Sequence, residues 1–213
     1  MGATASAGSV QEAKQYEVLE AGVYVGRCLQ VVELGTHEKT WENETKDVEE
    51  IMIVWELNEL MEDGRPFTVN WRGTKSLGKK ASLFKMLINW RGTPFSEDEL
   101  KCFQFKNILN APCMLNITKS EGKNGRTYNN VLSVMPMPKG MEAEELKNEK
   151  VDFGITDLGT PEFEKVWPWV RKIIAESNEG KRFFGPKGYD PMADKKEDVP
   201  KTQLHAPDQE IPF

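Results

Sequence analysis

The chain contains few of the residues on which active sites and metal sites depend. It has 213 residues, of which three are Cys and two are His. Cys28, Cys102 and Cys113 lie far apart without a Cys-x-x-Cys pair, which argues against a zinc site and against a disulfide framework. Neither His37 nor His205 has an evident carboxylate or thiol partner for nucleophilic or general-base catalysis. We therefore expect a protein that is not an enzyme and that needs no metal or cofactor.

Long hydrophobic runs are also lacking. No apolar stretch approaches the roughly 20 residues that a membrane-spanning helix requires. The opening residues, MGATASAGSV, have neither the basic region nor the apolar region of a signal peptide. Hydrophobic residues make up 38% of the chain, which is enough for a core but leaves some segments outside it. These absences predict a cytoplasmic protein.

Basic residues are outnumbered by acidic ones, 28 to 34, but they are concentrated in the middle of the chain. The net charge is −6, yet residues 1–61 carry −8 and residues 62–140 carry +7. Residues 141–152 and 190–213 are again acidic, at −3 each. A basic middle between acidic ends can present one positive surface to phosphate groups.

Period-two patterns and turn residues predict a protein built mainly of strands. Residues 21–34 are rich in β-branched side chains, and Gly26 is a predicted bend in a tightly coiled sheet. Within residues 51–57 the odd positions are predicted to face the core. In chain order we predict a strand over 21–34, a polar acidic loop over 35–50, strands over 51–57 and 66–71, helices over 79–90 and 96–103, and strands over 113–119 and 127–135.

The order of these elements indicates a fold class. Three strands, a helix and two strands form the order of the OB-fold, a five-stranded, partly open barrel with its helix between strands three and four. Such barrels commonly bind oligonucleotides across strands two and three and the adjoining loops. The sequence therefore predicts a mainly β protein with an OB-fold barrel.

The pattern changes after residue 140. Apolar residues at helical spacing predict an amphipathic helix, which Pro168 kinks or restarts. These residues are Phe163, Val166, Trp167, Val170 and Ile174. From residue 187 onward Pro, Asp and Lys dominate without a core-forming pattern. The predicted organisation is a disordered leader over 1–15, an OB-fold DNA-binding domain over 16–140, an acidic linker and amphipathic helix over 141–186, and a disordered acidic tail over 187–213.

One short motif points towards an ATPase. Residues 73–80, GTKSLGKK, match the phosphate-binding loop GxxxxGK up to its last position. There Lys80 stands where a Ser or Thr hydroxyl must ligate magnesium, and no alternation of parallel strands and helices surrounds the segment. A basic turn that leads into a helix is the better interpretation.

Basic and aromatic residues near the predicted cleft are the candidate nucleic-acid contacts. Binding of single strands needs cations for the phosphates and aromatic faces on which bases stack. Trp71 shares the parity of Phe67 and Val69, so core packing and stacking both stay open for its ring. Trp41 is another candidate for stacking, although its acidic neighbours oppose phosphate. The predicted DNA-binding residues are Trp71, Arg72, Lys75, Lys79, Lys80, Lys119, Lys123, Arg126 and Tyr128.

A resemblance to a known family fits these observations. Residues 22–141, from GVYVGRCLQVVELGT through SLGKKASLFKMLINWRGTPF to LNAPCMLNITKSEGKNGRTYNNVLSVMPMPKGM, resemble bacteriophage single-stranded-DNA-binding proteins built on an OB-fold. The resemblance implies sequence-nonspecific binding of single-stranded DNA during phage DNA replication, recombination or repair in the host cytoplasm. A homo-oligomer is compatible with it.

The last six residues, DQEIPF, carry a second resemblance. They are similar to the C-terminal peptide of bacterial single-stranded-DNA-binding proteins, which commonly ends Asp-Asp-Asp-Ile-Pro-Phe and docks into a hydrophobic pocket of replication and repair enzymes. The position of Gln209 departs from that pattern. The resemblance implies that partner proteins are recruited through Asp208, Glu210, Ile211, Pro212 and Phe213.

An alternative interpretation needs no nucleic acid. In that interpretation the β-barrel and the helix over residues 160–178 form a protein–protein interaction module. The basic loops are then no more than solvated surface.

Overall fold

The computed structural model describes residues 17–123 and 125–189 as a mainly β protein with a few short helices. The strands are β1 Gly22–Trp41, β2 Glu44–Leu60, β3 Pro66–Thr74, β4 Pro112–Glu121, β5 Thr127–Met135 and β6 Val151–Phe153. The helices are α1 Ser82–Arg91, α2 Glu97–Lys101, α3 Pro161–Lys165, α4 Pro168–Ala175 and α5 Asn178–Phe184. Short 3₁₀ turns lie at Phe105–Ile108, Ile155–Asp157 and Gly185–Lys187. In the described residues no helix has the length and apolar character needed to cross a membrane.

The six strands form one sheet around the long strand β1. Five of them have the order β3-β2-β1-β4-β5 with antiparallel neighbours, and β6 pairs parallel with β1. Gly26 lies where β1 changes partner, since it is opposite both Leu57 on β2 and Cys113 on β4. A Cβ at this position would lie 2.5 Å from the carbonyl oxygen of Glu56, so only glycine fits this close approach.

The two outermost strands approach each other without closing a barrel. β3 and β5 have Cα atoms within 8 Å of one another, but no ladder joins them in the described part of the chain. The chain just before β1 bridges this opening. The side chain of Asn129 on β5 exchanges two 2.9 Å hydrogen bonds with the backbone of Leu19, and Glu17 accepts a 3.0 Å bond from the Glu62 amide after β2. The predicted order of strands and helix is therefore confirmed, whereas the structure shows an open sheet.

The polar loop predicted over residues 35–50 is wrong, because these residues form a hairpin. β1 continues to Trp41 and β2 begins at Glu44, so that Glu42 and Asn43 make the turn between them. Both have positive φ values, 44° and 70°, as a two-residue type I′ turn requires. This hairpin arm, residues 35–50, carries charged and polar side chains on both faces. It therefore lacks the alternation of apolar and polar residues that predicted the other strands.

The sheet has a separate hydrophobic core on each face. On the inner face Ile53 and Trp55 of β2 pack with helix α1 and with β4. On the outer face Met52 and Val54 pack with β6 and with helices α3 and α4. The prediction that the odd positions of this strand face the core is therefore confirmed, and Met52 and Val54 face a second core that was not predicted. β2 is buried on both sides because the C-terminal helices cover its outer face.

The predicted C-terminal helix is present as two shorter ones. α3 and α4 each have a proline at the first helical position, where its missing N–H costs nothing. The restart near Trp167 is thus confirmed, and the five apolar residues predicted to share a face, Phe163, Val166, Trp167, Val170 and Ile174, are all buried.

Candidate nucleic-acid interface

A buried carboxylate organises the outer side of the first three strands. Glu50 lies on β2 between Gly35 of β1 and Thr74 of β3, and its side chain is fully buried. Arg72 on β3 donates to Glu50 Oε2 through Nε at 2.9 Å and through a second guanidinium nitrogen. Lys39 on β1 places its Nζ 2.5 Å from Glu50 Oε1. One carboxylate therefore joins two cations across three strands.

Burial and neighbouring charges shift the pKa values of Glu50 and His37 in this region. Burial by itself raises the pKa of Glu50, but the hydrogen bonds and positive charges of Lys39 and Arg72 outweigh burial and hold this pKa below its ordinary value. His37, whose Nε2 donates to the Leu34 carbonyl oxygen at 3.1 Å, lies in the same neighbourhood. Burial lowers the pKa of His37, and the charges of Arg72 and Lys39 lower it further.

Three of the predicted DNA-binding cations already have carboxylate partners, and Arg72 and Lys75 are two of them. Arg72 is bound to Glu50, and Lys75 lies 2.5 Å from Glu33 and 3.9 Å from Glu49. A phosphate would have to compete with these carboxylates. The geometry suits Arg72 and Lys75 to holding the three strands in register.

Trp71 lies on the opposite side of the sheet from Arg72. It is opposite Ile53 on β2, and its half-buried ring packs against the inner core. Arg72, in contrast, is opposite Met52, which belongs to the outer core. The Trp71 ring also lies against Gly73, where a Cβ would come within 2.3 Å of the ring atoms. The neighbours Trp71 and Arg72 therefore cannot contact one strand of nucleic acid on the same face.

The segment between β3 and α1 presents free positive charge. Lys79 and Lys80 are exposed, and neither has an ion-pair partner among the described residues. Lys85 on α1 is exposed as well. The helix begins at Ser82, a few residues later than predicted, so both lysines lie in the turn before it.

The β4–β5 hairpin divides its predicted residues between two faces. Lys119 is opposite Asn129 and forms an ion pair with Glu20, whereas Tyr128 is opposite Ser120. Successive strand residues alternate between faces, so Lys119 and Tyr128 point to opposite sides. Tyr128 is half-buried, and Lys123 and Arg126 are exposed beside the turn.

The structure thus leaves the predicted site residues apart from one another, and Lys119 and Tyr128 lie on opposite faces of the β4–β5 hairpin. Arg72 and Lys75 lie within ion pairs on the outer face, and Trp71 lies against the inner core. The exposed cations lie in two separate turns, before α1 and between β4 and β5. Sequence reasoning missed Lys39 and Glu50, since nothing in the sequence shows which carboxylate a given cation will meet. The tip residues Asp208, Glu210, Ile211, Pro212 and Phe213 lie outside the described residues.

Trp41 lies at the end of the β1–β2 hairpin. It pairs with Glu44 across the turn, and 43% of its surface is exposed. The structure therefore presents the ring to solvent, beside the same acidic residues that the sequence places there.

An apolar cavity of about 590 Å³ lies beside α1 and α2. Its lining includes Leu87, Trp90, Phe95, Phe103, Ile108 and Pro136. Arg91 lies at this cavity with its guanidinium 4.7 Å from the centre of the Phe95 ring, and it forms an ion pair with Glu99. The hydrogen bond from Arg91 lowers the pKa of Glu99 to about 2. Such a lining is suited to binding an apolar side chain.

Comparison with protein-family models and with curated proteins finds no match to this chain. Within the described residues, no group of three or more His, Cys, Asp or Glu side chains is placed to hold a metal ion.

Proposed function

We propose that the protein binds single-stranded DNA without sequence specificity and without catalysis, in phage DNA replication, recombination or repair in the host cytoplasm. The observation that carries the proposal is a pair of exposed lysines in the turn before α1, Lys79 and Lys80, which form no ion pair with any residue that the structure describes. This turn connects β3 of the open sheet to α1, and the order of strands and helix is that of the OB-fold. Phosphates would be bound at this turn and at the β4–β5 turn.

The remaining predicted residues take different roles in this proposal. Lys123 and Arg126 would contact phosphates at the β4–β5 turn, with Tyr128 beside them as a stacking candidate. Arg72 and Lys75 would support the surface through Glu50 and Glu33, because those carboxylates already neutralise them. The half-buried ring of Trp71 would report binding through its fluorescence more than it would contribute stacking.

The proposal also includes recruitment of replication or recombination proteins by the tip residues 208–213. Its support is the resemblance of Ile211, Pro212 and Phe213 to the tip of bacterial single-stranded-DNA-binding proteins. A homo-oligomer is compatible with this proposal.

The test is a titration with fluorescent oligo-dT at several salt concentrations. The logarithm of the affinity should fall linearly with the logarithm of salt, with a slope of about −0.7 for each phosphate contact to a single strand. The Lys79→Glu/Lys80→Glu variant should bind more weakly and reduce this slope by about 1 to 2. The Lys139→Glu/Lys150→Glu variant carries the same change in charge on two other exposed lysines, and it should keep most of the slope.

A second candidate function is a protein interaction module. The apolar cavity beside α1 and α2 favours it, because an aromatic lining with one cation suits a peptide side chain. The oligo-dT titration separates the two functions. Salt-independent affinity, a preference for duplex DNA, or no binding with unchanged Trp emission would contradict binding of single strands and favour the interaction module.

A further inference from the structure

The last described helix carries an exposed aromatic ring. Phe183 on α5 is 53% exposed, more than any other aromatic side chain in the described residues. Its ring is nevertheless held in place, because it meets Phe184 edge to face at 5.1 Å and rests on Gly159, where a Cβ would lie 2.5 Å from it. A flat apolar surface is therefore presented to solvent in a fixed orientation.

Three cations lie close to this ring in the chain. Lys181 and Arg182 precede it on α5, and Lys187 follows in the adjoining 3₁₀ turn. All three are exposed, and none forms an ion pair with a described carboxylate. We define Lys181, Arg182, Phe183 and Lys187 as the C-terminal basic edge.

The nearest acidic residue on the same helix is directed elsewhere. Glu179 accepts hydrogen bonds from the backbone amide of Thr36 at 2.8 Å and from its hydroxyl at 2.7 Å. Thr36 belongs to β1 at the base of the β1–β2 hairpin. Burial raises the pKa of Glu179, but these bonds from Thr36 outweigh it and lower the pKa overall. Glu176, exposed at the end of α4, is the other acidic group nearby in the chain.

The same contacts fix the position of α5 on the sheet. Ser177 caps the helix by accepting a 3.0 Å bond from the Gly180 amide. The backbone at Gly35 is so close that a Cβ there would lie 2.5 Å from the Ser177 hydroxyl oxygen. Gly35 is opposite Glu50, which holds Lys39 and Arg72. The basic edge therefore belongs to a rigid helix beside the outer face of β1–β3.

We propose that the C-terminal basic edge is a second contact surface for single-stranded DNA, at which Lys181, Arg182 and Lys187 bind phosphates and Phe183 stacks on a base. This inference rests on the proposed function and extends it to a segment outside the predicted DNA-binding domain. Interleaved cations and an exposed aromatic ring are the two ingredients of sequence-independent single-strand binding.

Charge reversal tests the phosphate contacts. In the full chain, Lys181→Glu/Arg182→Glu/Lys187→Glu should weaken binding of a long oligo-dT at least 10-fold at low salt and reduce the salt slope by about 2, as expected for three phosphate contacts. Lys139→Glu/Lys147→Glu/Lys150→Glu is the matched control, since it makes the same change in charge on three other exposed lysines. It should cost much less affinity.

Substitution of the ring tests stacking. Phe183→Ala should weaken binding about 5- to 150-fold, the range expected when one stacked base is lost. Phe183→Tyr, which keeps the aromatic face, should restore most of the affinity. Thermal unfolding of each variant, followed by circular dichroism, shows whether the layer of C-terminal helices α3, α4 and α5 is still folded. If Phe183→Ala unfolds the layer, the charge-reversal variants and Phe183→Tyr still decide the question.

The outcomes separate this inference from the proposed function. If the wild type binds oligo-dT and the two triple variants bind equally well, the basic edge is not a DNA contact, although the proposed function stands. Loss of affinity on charge reversal with no effect of Phe183→Ala in a folded protein would mean that the cations bind phosphates without a stacked base, and it would overturn the role assigned to the ring. Absence of binding by the wild type would overturn both.

Discussion

At the scale of single residues, Glu50 is a buried carboxylate that binds cations from both neighbouring strands. A fully buried carboxylate loses its hydration, which costs several kcal/mol unless charged partners replace the water. Lys39 and Arg72 supply that replacement from β1 and β3, and both keep part of their surface in solvent. Glu50 therefore links the hairpin arm to the third strand.

Glu50→Gln should destabilise the fold in a pH-dependent way. The amide keeps the size of the side chain but leaves two cations without a charge partner, so the free energy of unfolding should fall by about 2 kcal/mol at pH 7. Because the pKa of Glu50 is lower in the folded than in the unfolded protein, its stabilisation is present above the unfolded value and is lost as the pH falls through the folded pKa. The difference between wild type and variant should shrink from pH 5 towards pH 3, as measured by urea unfolding.

Glu49→Gln is the control for this prediction. Glu49 is the preceding residue on the same strand, it is exposed, and the one ion pair that it forms within the described part of the chain spans 3.9 Å to Lys75. Exposed pairs of this kind contribute about 0 to 1 kcal/mol. Equal losses in the two variants, or a loss for Glu50→Gln that does not change with pH, would show that the buried cluster has been misinterpreted.

At the scale of elements, the close packing of α5 against α4 depends on the absence of a side chain at Gly180. A Cβ there would lie 2.1 Å from the Ile174 carbonyl oxygen and 2.6 Å from the Ala175 Cα. Both are backbone atoms of α4 or its immediate end, so they cannot move aside without shifting the helix. The two helices therefore pack closely enough to exclude even a methyl group.

Gly180→Ala should lower stability even though alanine favours helices. Helix propensity alone predicts a gain of about 1 kcal/mol, whereas overpacking against backbone predicts a loss of about 1 to 3 kcal/mol. We expect the loss to dominate in urea unfolding. Lys181→Ala, an exposed position on the same helix, should change stability by no more than about 0.5 kcal/mol. A stabilised Gly180→Ala protein would mean that α5 does not pack on α4 as described.

The sequence predicted those elements whose local pattern had one interpretation. β5 begins and ends where alternation placed it, and α2 lies within the helix predicted over 96–103, where Ser96 and Glu99 form a capping box at its start. The β1–β2 hairpin was missed because its polar side chains conceal the strand period. The second core was missed at Met52 and Val54, since a strand buried on both faces differs from a half-buried one only through what packs upon it.

The candidate site was less predictable than the fold, because its chemistry depends on distant pairings. The composition showed that cations gather in the middle of the chain. It did not show that Arg72 meets Glu50, 22 residues away, or that Lys119 meets Glu20, 99 residues away. Such pairings decide which cations are left for a ligand. The exposure of Phe183 was equally hidden, because the doublet it forms with Phe184 has the appearance of core sequence.

At the scale of the whole molecule, the C-terminal layer changes which surfaces are open. Helices α3 and α4 cover the outer face of β1 and β2, so Met52 and Val54 are buried beneath them. The surfaces left for a long charged ligand are the turns that carry Lys79, Lys80 and Lys123, and the edge of the layer itself. The proposed path of the DNA therefore runs around the covered face, from these turns to the C-terminal basic edge.

Residues 190–213 add a further electrostatic element to the whole molecule. They hold six acidic and three basic residues, which is half of the net charge of −6. Negative charge tethered to the same chain repels DNA and competes with it for exposed cations. Truncation after Tyr189 should therefore tighten binding of oligo-dT by roughly 3-fold or more at low salt, and the gain should fade as salt screens the charges.

A full-length variant with the six acidic residues of this segment changed to Asn or Gln should reproduce the gain. If truncation tightens binding but neutralisation does not, the segment acts by occupying space rather than by charge, and unchanged affinity in both would remove it from the binding mechanism.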